Sequence, residues 1–266
     1  MTRKDVTFLS GNLKLAGHLY VPDGASKSKL PAIVAVHPFG GVKEQTTGVY
    51  AEKLSDELGY ITLAFDRRHQ GSSEGEPRQL EDGYGMLEDI KSAVTYLSTL
   101  DHVDPARIGV LGFREIPKPT LEGILVQAGQ ARIDYARGGE VQYLPIVPTK
   151  EEITKDTTNL MSEASDYYLT SRGGYETSIN RTAVWSYDQL ANFDAFAYLD
   201  WIAPRPVLLI AGSKADTLHF SEDAYKKCKE PKELYLIEGA THIELFDHGV
   251  PKVLPKLKVS QYHNLL

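Results

Sequence analysis

The sequence has few features of secreted, membrane-bound or nucleic-acid-binding proteins. Its single cysteine, Cys228, excludes an internal disulfide and a cysteine-based zinc cluster. No apolar run approaches the roughly 18 residues of a membrane span, and no signal-peptide core follows Met1. Acidic residues outnumber basic ones by 36 to 29, so the composition gives no support to a basic nucleic-acid-binding face. We therefore expect a cytoplasmic protein without a nucleic-acid or membrane partner.

Strand-like and helix-like segments alternate up to residue 112 and again after residue 204. Residues 32–36 and 61–65 are continuous apolar runs, which are typical of strands buried on both faces of a sheet. Segments with helical spacing follow them, over residues 50–58 and 86–97. Further strands are predicted at residues 6–9, 13–21, 108–111, 206–212 and 233–237. The alternation predicts an α/β fold with a mostly parallel central sheet flanked by helices.

The central part of the chain, residues 113–204, interrupts this alternation. It contains no convincing apolar strand. Helical patterns are predicted at residues 121–136, 157–168 and 187–199. Phe196 and Trp201 recur at helical spacing, so we expect both side chains to lie in the core.

Polar loops follow the predicted strands, at the edge where open parallel sheets form their sites. The loop from His37 to Gly41 is interpreted either as a tight turn or as half of an oxyanion hole, because its glycines let backbone N–H groups face a ligand. The next loop carries Asp66, Arg67 and Arg68. These side chains either bind an anion or fix the loop through salt bridges, and we favour the second interpretation.

Two candidate catalytic residues follow consecutive strands near the end of the chain. Asp216 comes after the strand at residues 206–212, and His242 comes after the strand at residues 233–237. A carboxylate that fixes the histidine tautomer, beside a histidine that moves protons, makes up two thirds of a nucleophilic triad. We therefore predict that Asp216 and His242 act as a pair.

Residues 5–112 and 204–250 resemble the α/β-hydrolase superfamily, and in particular its dienelactone-hydrolase-like branch. That branch includes bacterial esterase-like and fungal polyketide-transferase-like members. The matching stretches are residues 37–44, 65–68, 71–77, 104–112, 209–216 and 238–242. The resemblance implies a single domain over residues 1–266, with a helical cap between about residues 120 and 203.

The same resemblance assigns roles to particular residues. It implies that Asp216 is the acid, that His242 is the base, and that the backbone of Phe39 and Gly40 forms half of an oxyanion hole. The substrate pocket is expected to include His37, Trp185 and Tyr187, the last two from the cap. The implied substrate is an ester, a lactone or a thioester, with no cofactor and no metal.

The sequence departs from the family where the nucleophile is expected. The family carries Ser or Cys in a G-x-[Ser/Cys]-x-G turn directly after the strand that matches residues 108–111. Here Arg114 occupies that position and Ile116 replaces the second glycine. Arginine stays protonated and is no nucleophile. The helix and central strand that follow in the family are also missing. In the family, that strand lies between those ending at Leu111 and starting at Val207, so we expect a sheet that lacks one helix–strand unit.

Other candidate nucleophiles and metal ligands are weak. Cys228 precedes a strand and so lies at the wrong end of the sheet. The serines that follow strands lack a suitable turn around them; they are Ser72, Ser73 and Ser213. His242, Glu244 and His248 lack the spacing of a helix-borne zinc site, and we expect Glu244 and Asp247 to be solvated.

These observations predict a near-inactive member of a family of hydrolases or acyl transferases. Acid, base and part of an oxyanion hole are present, whereas the attacking group is missing. The alternative is a non-catalytic small-molecule binding protein with the hydrolase fold. The sequence does not give the oligomeric state.

Overall fold

The computed structural model describes residues 1–25, 29–112 and 121–259. The chain divides into two compact units. The first comprises Met1–Val147 and Gly173–Phe193, and the second comprises Pro148–Arg172 and the described residues from Asp194 onward. The single domain over residues 1–266, with a cap at residues 120–203, stays a prediction.

A five-stranded mixed sheet forms the centre of the first unit. Its strands are β1 (Thr2–Ser10), β2 (Leu13–Val21), β3 (Leu30–Val36), β4 (Ile61–Phe65) and β5 (Val103–Gly112). Their order across the sheet is β1-β2-β4-β3-β5. Strand β3 runs parallel to both β4 and β5, whereas β2 is antiparallel to β1 and to β4. This arrangement confirms the predicted α/β class.

Helices α1 (Thr46–Leu58) and α2 (Gly83–Ser98) pack against this sheet. Strand β4 is buried along its whole length, which explains its continuous apolar sequence. The buried stripe of α2, with Ala93 and Leu97, belongs to the same core as Leu63 of β4. Tertiary packing of these apolar faces stabilises the helices.

The remainder of the first unit contains shorter elements. These are α3 (Leu121–Ala136), β6 (Tyr143–Leu144), β7 (Thr182–Ala183) and α5 (Ser186–Ala191). Strands β6 and β7 pair in an antiparallel ribbon that the apolar pattern did not predict.

The predicted helix at residues 187–199 is wrong in its extent, because α5 ends at Ala191. Further along the chain, the Asp194 carboxylate accepts a hydrogen bond of 2.8 Å from the Phe196 N–H group. Such an Asx turn offers the backbone an alternative to helical hydrogen bonding. Local turn chemistry therefore overrides the helical spacing of the aromatic side chains.

The second unit contains a parallel pair of strands, β8 (Val207–Gly212) and β9 (Lys232–Ile237). Its helices are α4 (Asn159–Leu169), α6 (Leu218–Lys227) and α7 (Val250–Val259). The predicted core position of Trp201 is wrong, since 69% of this residue is exposed. Phe196 is half-buried, and the Lys227 ammonium lies 5.5 Å from its ring centroid.

Each unit has a strand that pairs on one side only, as far as the described residues go. Strand β5 is an edge of the five-stranded sheet, and β8 pairs with β9 alone. The apolar side chains of β5 are incompletely covered, with Val110 53% exposed. Within the described part of the chain, no helix is long and apolar enough to cross a membrane.

Candidate active site

Asp216 and His242 both lie in the second unit, on the loops that follow its two parallel strands. Gly212 at the end of β8 pairs with Ile237 at the end of β9, so the two loops start side by side. Asp216 is exposed, and its Oδ2 atom accepts a hydrogen bond of 3.2 Å from the Leu160 N–H group. The charge of the carboxylate nevertheless acts on the His242 ring, whose pKa it raises.

The imidazole of His242 is held in its neutral form. Burial of the ring lowers the pKa of His242 from 6.5 to about 4, although the negative charge of Asp216 acts in the opposite direction. Nδ1 lies 2.6 Å from the Thr217 hydroxyl oxygen, and the Phe246 ring packs edge-on, with its centroid 5.3 Å from that of the imidazole. A neutral imidazole is the form that accepts a proton, which is compatible with the predicted role of a base.

The loop that carries His242 is fixed by two carboxylates. The Thr241 hydroxyl donates a hydrogen bond of 2.7 Å to Glu163, and the Thr241 N–H group donates one of 2.9 Å to Glu244. Glu244 was expected to be solvated, and this expectation is wrong, because its carboxylate holds the backbone of the loop. Asp247, for which the same was expected, is paired with the Arg172 guanidinium at 2.7 Å.

Three neighbours of the candidate site were not predicted from the sequence, namely Thr217, Glu163 and Arg172. Thr217 carries a weak local signal, because it directly follows Asp216. Glu163 and Arg172 precede the residues that they contact by 78 and 75 positions. No spacing rule connects them to the His242 loop.

In the first unit, His37 is buried and both of its ring nitrogens are used within the protein. The Arg67 N–H group donates to Nε2 at 3.1 Å, which places the ring proton on Nδ1, 2.9 Å from the Pro38 carbonyl oxygen. The Arg67 side chain approaches Nδ1 only at 3.4 Å, the longer and weaker contact. Burial, with the Arg67 charge, holds the pKa of His37 well below its ordinary value. His37 therefore fixes the loop, and its assignment to the substrate pocket stays a prediction.

The two predicted oxyanion donors differ in what they contact. The Gly40 N–H group donates a hydrogen bond of 2.9 Å to the Glu81 carboxylate. The Phe39 N–H group has no acceptor among the described residues. Gly40 has a φ of +66°, in the left-handed region that favours glycine, and a Cβ atom there would require the end of the Ile146 side chain to shift.

The polar loop after β4 is a structural network, as favoured from the sequence. The Asp66 carboxylate is fully buried and accepts hydrogen bonds of 2.8 Å from the ammonium and the backbone N–H group of Lys43. Arg68 pairs with the buried carboxylate of Asp89 at 2.8 Å. The charges of Asp66 and Arg68 are thus paired within the protein, which confirms the interpretation that salt bridges fix this loop.

The aromatic residues assigned to the substrate pocket belong to the first unit. Trp185 is buried in an apolar cluster with Leu80, Ala128 and Ala131. Tyr187 is half-buried, with its ring centroid 6.5 Å from that of Phe39. Contact of either side chain with a substrate stays a prediction.

Burial and hydrogen bonding distinguish the candidate nucleophiles from one another. Arg114 and Ile116, at the expected turn, lie outside the described residues. Cys228 is buried, and burial raises the pKa of its thiol, which disfavours the reactive thiolate. The Ser73 hydroxyl accepts a hydrogen bond from the Ala16 N–H group and donates one to the carbonyl oxygen of Asp66.

The two other candidate serines differ in exposure, since Ser213 is half-buried and Ser72 is exposed. The Ser213 hydroxyl accepts a hydrogen bond of 2.8 Å from the Gly239 N–H group. Across residues 1–25, 29–112 and 121–259, no three His, Cys, Asp or Glu side chains form a metal-binding group.

Comparison with known sequences identifies relatives that match nearly the whole chain. It is 33% identical to the uncharacterized protein PA2218 of Pseudomonas aeruginosa, over 92% of this chain and 76% of that protein. It is 32% identical to the uncharacterized protein YcjY of Escherichia coli, over 93% of this chain and 94% of YcjY. A thiohydrolase of Aspergillus aculeatus, aneE, is 24% identical to this chain, over 91% of this chain and 86% of aneE. No family model matches the chain.

Solved structures agree with this result. The crystal structure of PA2218 matches with a TM-score of 0.90 at 31% identity, over 100% of this chain and 94% of that one. The α/β hydrolase GrgF from a Penicillium species matches in fold with a TM-score of 0.83 at 22% identity, over 97% of this chain and 96% of GrgF. The chain belongs to the same family as PA2218 and YcjY, and its fold is that of an α/β hydrolase.

The alignments with PA2218 and YcjY are longer than the chain itself. They extend over 285 and 289 positions, whereas the chain has 266 residues. Since 92% of 266 is about 245, about 40 positions of the PA2218 alignment have no residue of this chain. A helix–strand unit of an α/β sheet takes roughly 30 residues or more.

Proposed function

We propose that this chain carries the acid and base of an enzyme that hydrolyses or transfers the acyl group of an ester, lactone or thioester. The observation that carries the proposal is the neutral His242 ring, with Asp216 on the loop that follows the neighbouring parallel strand. The dienelactone-hydrolase-like branch is the part of the superfamily that we propose for the chain. The relative named as a thiohydrolase supports thioesters as one substrate class.

In a relative that retains the nucleophile, the histidine at the position of His242 moves protons. Its neutral imidazole takes the proton of an attacking hydroxyl or thiol, and an acyl-enzyme forms as the leaving group departs with that proton. Water, or an acceptor alcohol or thiol, then loses its proton to this histidine and releases the acyl group. The Asp216 carboxylate stabilises the imidazolium that forms in each step, since its charge raises the pKa of His242.

We assign the oxyanion donor of the first unit to Phe39 rather than to Gly40. The Gly40 N–H group already donates to Glu81, whereas the Phe39 N–H group has no acceptor in the described part of the chain. A backbone donor that is fixed before the reaction stabilises developing negative charge without reorganisation.

We further propose that the chain lacks the nucleophile and turns substrates over slowly. Arg114 at the expected position, the roughly 40 extra positions in the PA2218 alignment and the exposed edge of β5 support this proposal. Removal of a triad nucleophile lowers kcat about 10⁶-fold in subtilisin, so a comparable loss is expected here. The alternative of a non-catalytic binding protein is favoured by the occupied Gly40 N–H group.

The test is an assay of the purified chain with p-nitrophenyl butyrate and an acyl thioester. We expect a kcat about 10⁶-fold below that of an enzyme with an intact triad, with His242→Ala equal to wild type. The matched control is His248→Ala, which changes an exposed histidine in the same part of the chain. Fast turnover that disappears only in His242→Ala would overturn the loss of the nucleophile and support the hydrolase assignment. A saturable thermal shift with acyl ligands, without turnover, would support the binding protein.

A further inference from the structure

Glu81 connects the two loops that follow β3 and β4 in the first unit. It lies two residues before helix α2 and is 3% exposed. Its own N–H group donates a hydrogen bond of 3.0 Å to the Ser186 hydroxyl at the start of α5. The backbone and the carboxylate of Glu81 are therefore both anchored within this unit.

Its carboxylate accepts four hydrogen bonds from three residues. Oε1 accepts from the Gly40 N–H group at 2.9 Å, from Arg67 Nη2 at 3.1 Å and from Gln70 Nε2 at 3.1 Å. Oε2 accepts from Arg67 Nη1 at 2.8 Å. The two-pronged Arg67 contact is the strong, directional geometry of guanidinium–carboxylate pairs. These donors form a carboxylate-binding site that the chain fills with its own side chain.

The same arginine fixes the direction of the Phe39 N–H group. Arg67 Nη2 donates a hydrogen bond of 3.1 Å to the Pro38 carbonyl oxygen, and the Gly41 N–H group donates one of 3.1 Å to it. In a trans peptide the carbonyl and the following N–H group point in opposite directions. The Phe39 N–H group therefore points away from Arg67, out of the network that holds the loop.

We propose that Glu81 is a positioning residue for the Phe39–Gly40 loop. It acts as an internal carboxylate ligand that holds Gly40 directly and the Pro38–Phe39 peptide through Arg67. The functional consequence rests on the proposed oxyanion role of Phe39, whereas the positioning itself does not. Without the carboxylate, Arg67 loses its buried partner, and the peptide that carries the Phe39 N–H group is held at its carbonyl oxygen by His37 and Gly41 alone.

One amide resonance reports on this contact. Phe39–Gly40 is the only Phe-Gly pair in the sequence, so labelling with ¹³C-carbonyl phenylalanine and ¹⁵N-glycine selects the Gly40 N–H group alone. The spectroscopic signature of its bond to a carboxylate is a downfield proton and slow exchange. The measurement uses the full chain and needs no turnover.

The variants are Glu81→Ala and Glu81→Gln, with Glu88→Gln as the matched control on the exposed face of α2. In Glu81→Ala we expect an upfield shift and exchange about tenfold faster or more, since bonds to charged groups are the stronger ones. Glu81→Gln, which keeps the shape of the side chain, should give a smaller shift because an amide oxygen is the weaker acceptor. Glu88→Gln should leave the resonance unchanged.

Acetate separates positioning from a merely structural role. It matches the atoms removed in Glu81→Ala, so we expect it to restore the Gly40 resonance saturably, whereas acetamide does not. An unchanged Gly40 resonance in both Glu81 variants, or a shifted one in Glu81→Ala that acetate does not restore, would overturn the proposal. If Glu81→Ala does not fold, the Glu81→Gln spectrum decides. Absence of ester hydrolysis bears on the proposed function alone.

Discussion

The Thr217 hydroxyl oxygen lies 2.6 Å from Nδ1 of His242, so the residue after the predicted acid makes the close contact with the predicted base. Asp216 accepts a hydrogen bond from the Leu160 N–H group and acts on the ring through its charge. Orientation of the imidazole and electrostatic support of its protonated form are therefore divided between two adjacent residues. This arrangement makes Thr217 as informative a target for mutagenesis as Asp216.

Replacing Thr217 by valine removes the partner of Nδ1 at nearly constant volume. We expect Thr217→Val to lower the free energy of unfolding by about 1 kcal/mol, the usual net value of one hydrogen bond. Urea denaturation measures this change. Thr217→Ser keeps the hydroxyl and should stay close to wild type. Equal stability of the valine variant and wild type would contradict the contact.

The stability of the protein should fall as the pH is lowered from about 6.5 to about 4. In this window the unfolded chain protonates His242 while burial keeps the folded ring neutral, so the unfolded state binds more protons. Above the window the stabilisation is fully present. His18, His37 and His69, whose pKa values are also lowered chiefly by burial, act in the same direction.

Unfolding measured at a series of pH values tests this dependence. His242→Gln should show a shallower loss of stability between pH 6.5 and 4 than wild type. A slope identical to that of wild type would mean that His242 is not held neutral in the folded protein. Direct observation of the His242 ring by NMR should give a titration near pH 4.

The buried pair of Lys43 and Asp66 should be essential for the loop after β4. Lys43→Met leaves the fully buried Asp66 carboxylate without its cationic partner. We expect a loss of about 3–5 kcal/mol in the free energy of unfolding, as is usual when one partner of a buried pair is removed. Lys53→Met, at an exposed pair with Glu57, should have a far smaller effect. Similar effects of the two substitutions in urea denaturation would contradict the structural role of the pair.

If the nucleophile is absent as proposed, supplying one should create ester hydrolysis. We expect a chimera that receives after Gly112 a helix–strand unit beginning with a G-x-[Ser/Cys]-x-G turn to hydrolyse p-nitrophenyl butyrate at least about 10³-fold faster than the present chain. His242→Ala in the chimera should abolish the gain. A folded chimera without turnover, or one whose turnover survives His242→Ala, would contradict the proposed base.

Several strands could be predicted because their signals are local. Apolar runs predicted β3 and β4, and helical spacing over residues 86–97 predicted α2. Asp216 and His242 could be selected because each follows closely after a predicted strand. A motif at the end of a strand consists of residues that are neighbours in the sequence, so it can be recognised from a single sequence.

Other features depended on residues far apart in the sequence. Periodicity alone assigned Trp201 to the core, whereas it is exposed, because the pattern does not show which element covers an apolar side chain. Glu81 contacts Gly40 across 41 residues and Ser186 across 105, so no local pattern indicates it. The same holds for Glu163 at the loop of His242.

Hydrophobic period and chain order are sufficient to identify the α/β alternation, the positions of Asp216 and His242 after strands, and the departure at Arg114. The polar partner of each side chain follows only from the folded chain, which brings Thr217 beside His242 and Glu81 beside Gly40. Buried polar groups must find hydrogen-bond partners, and which partners are within reach is set by the packing of distant elements.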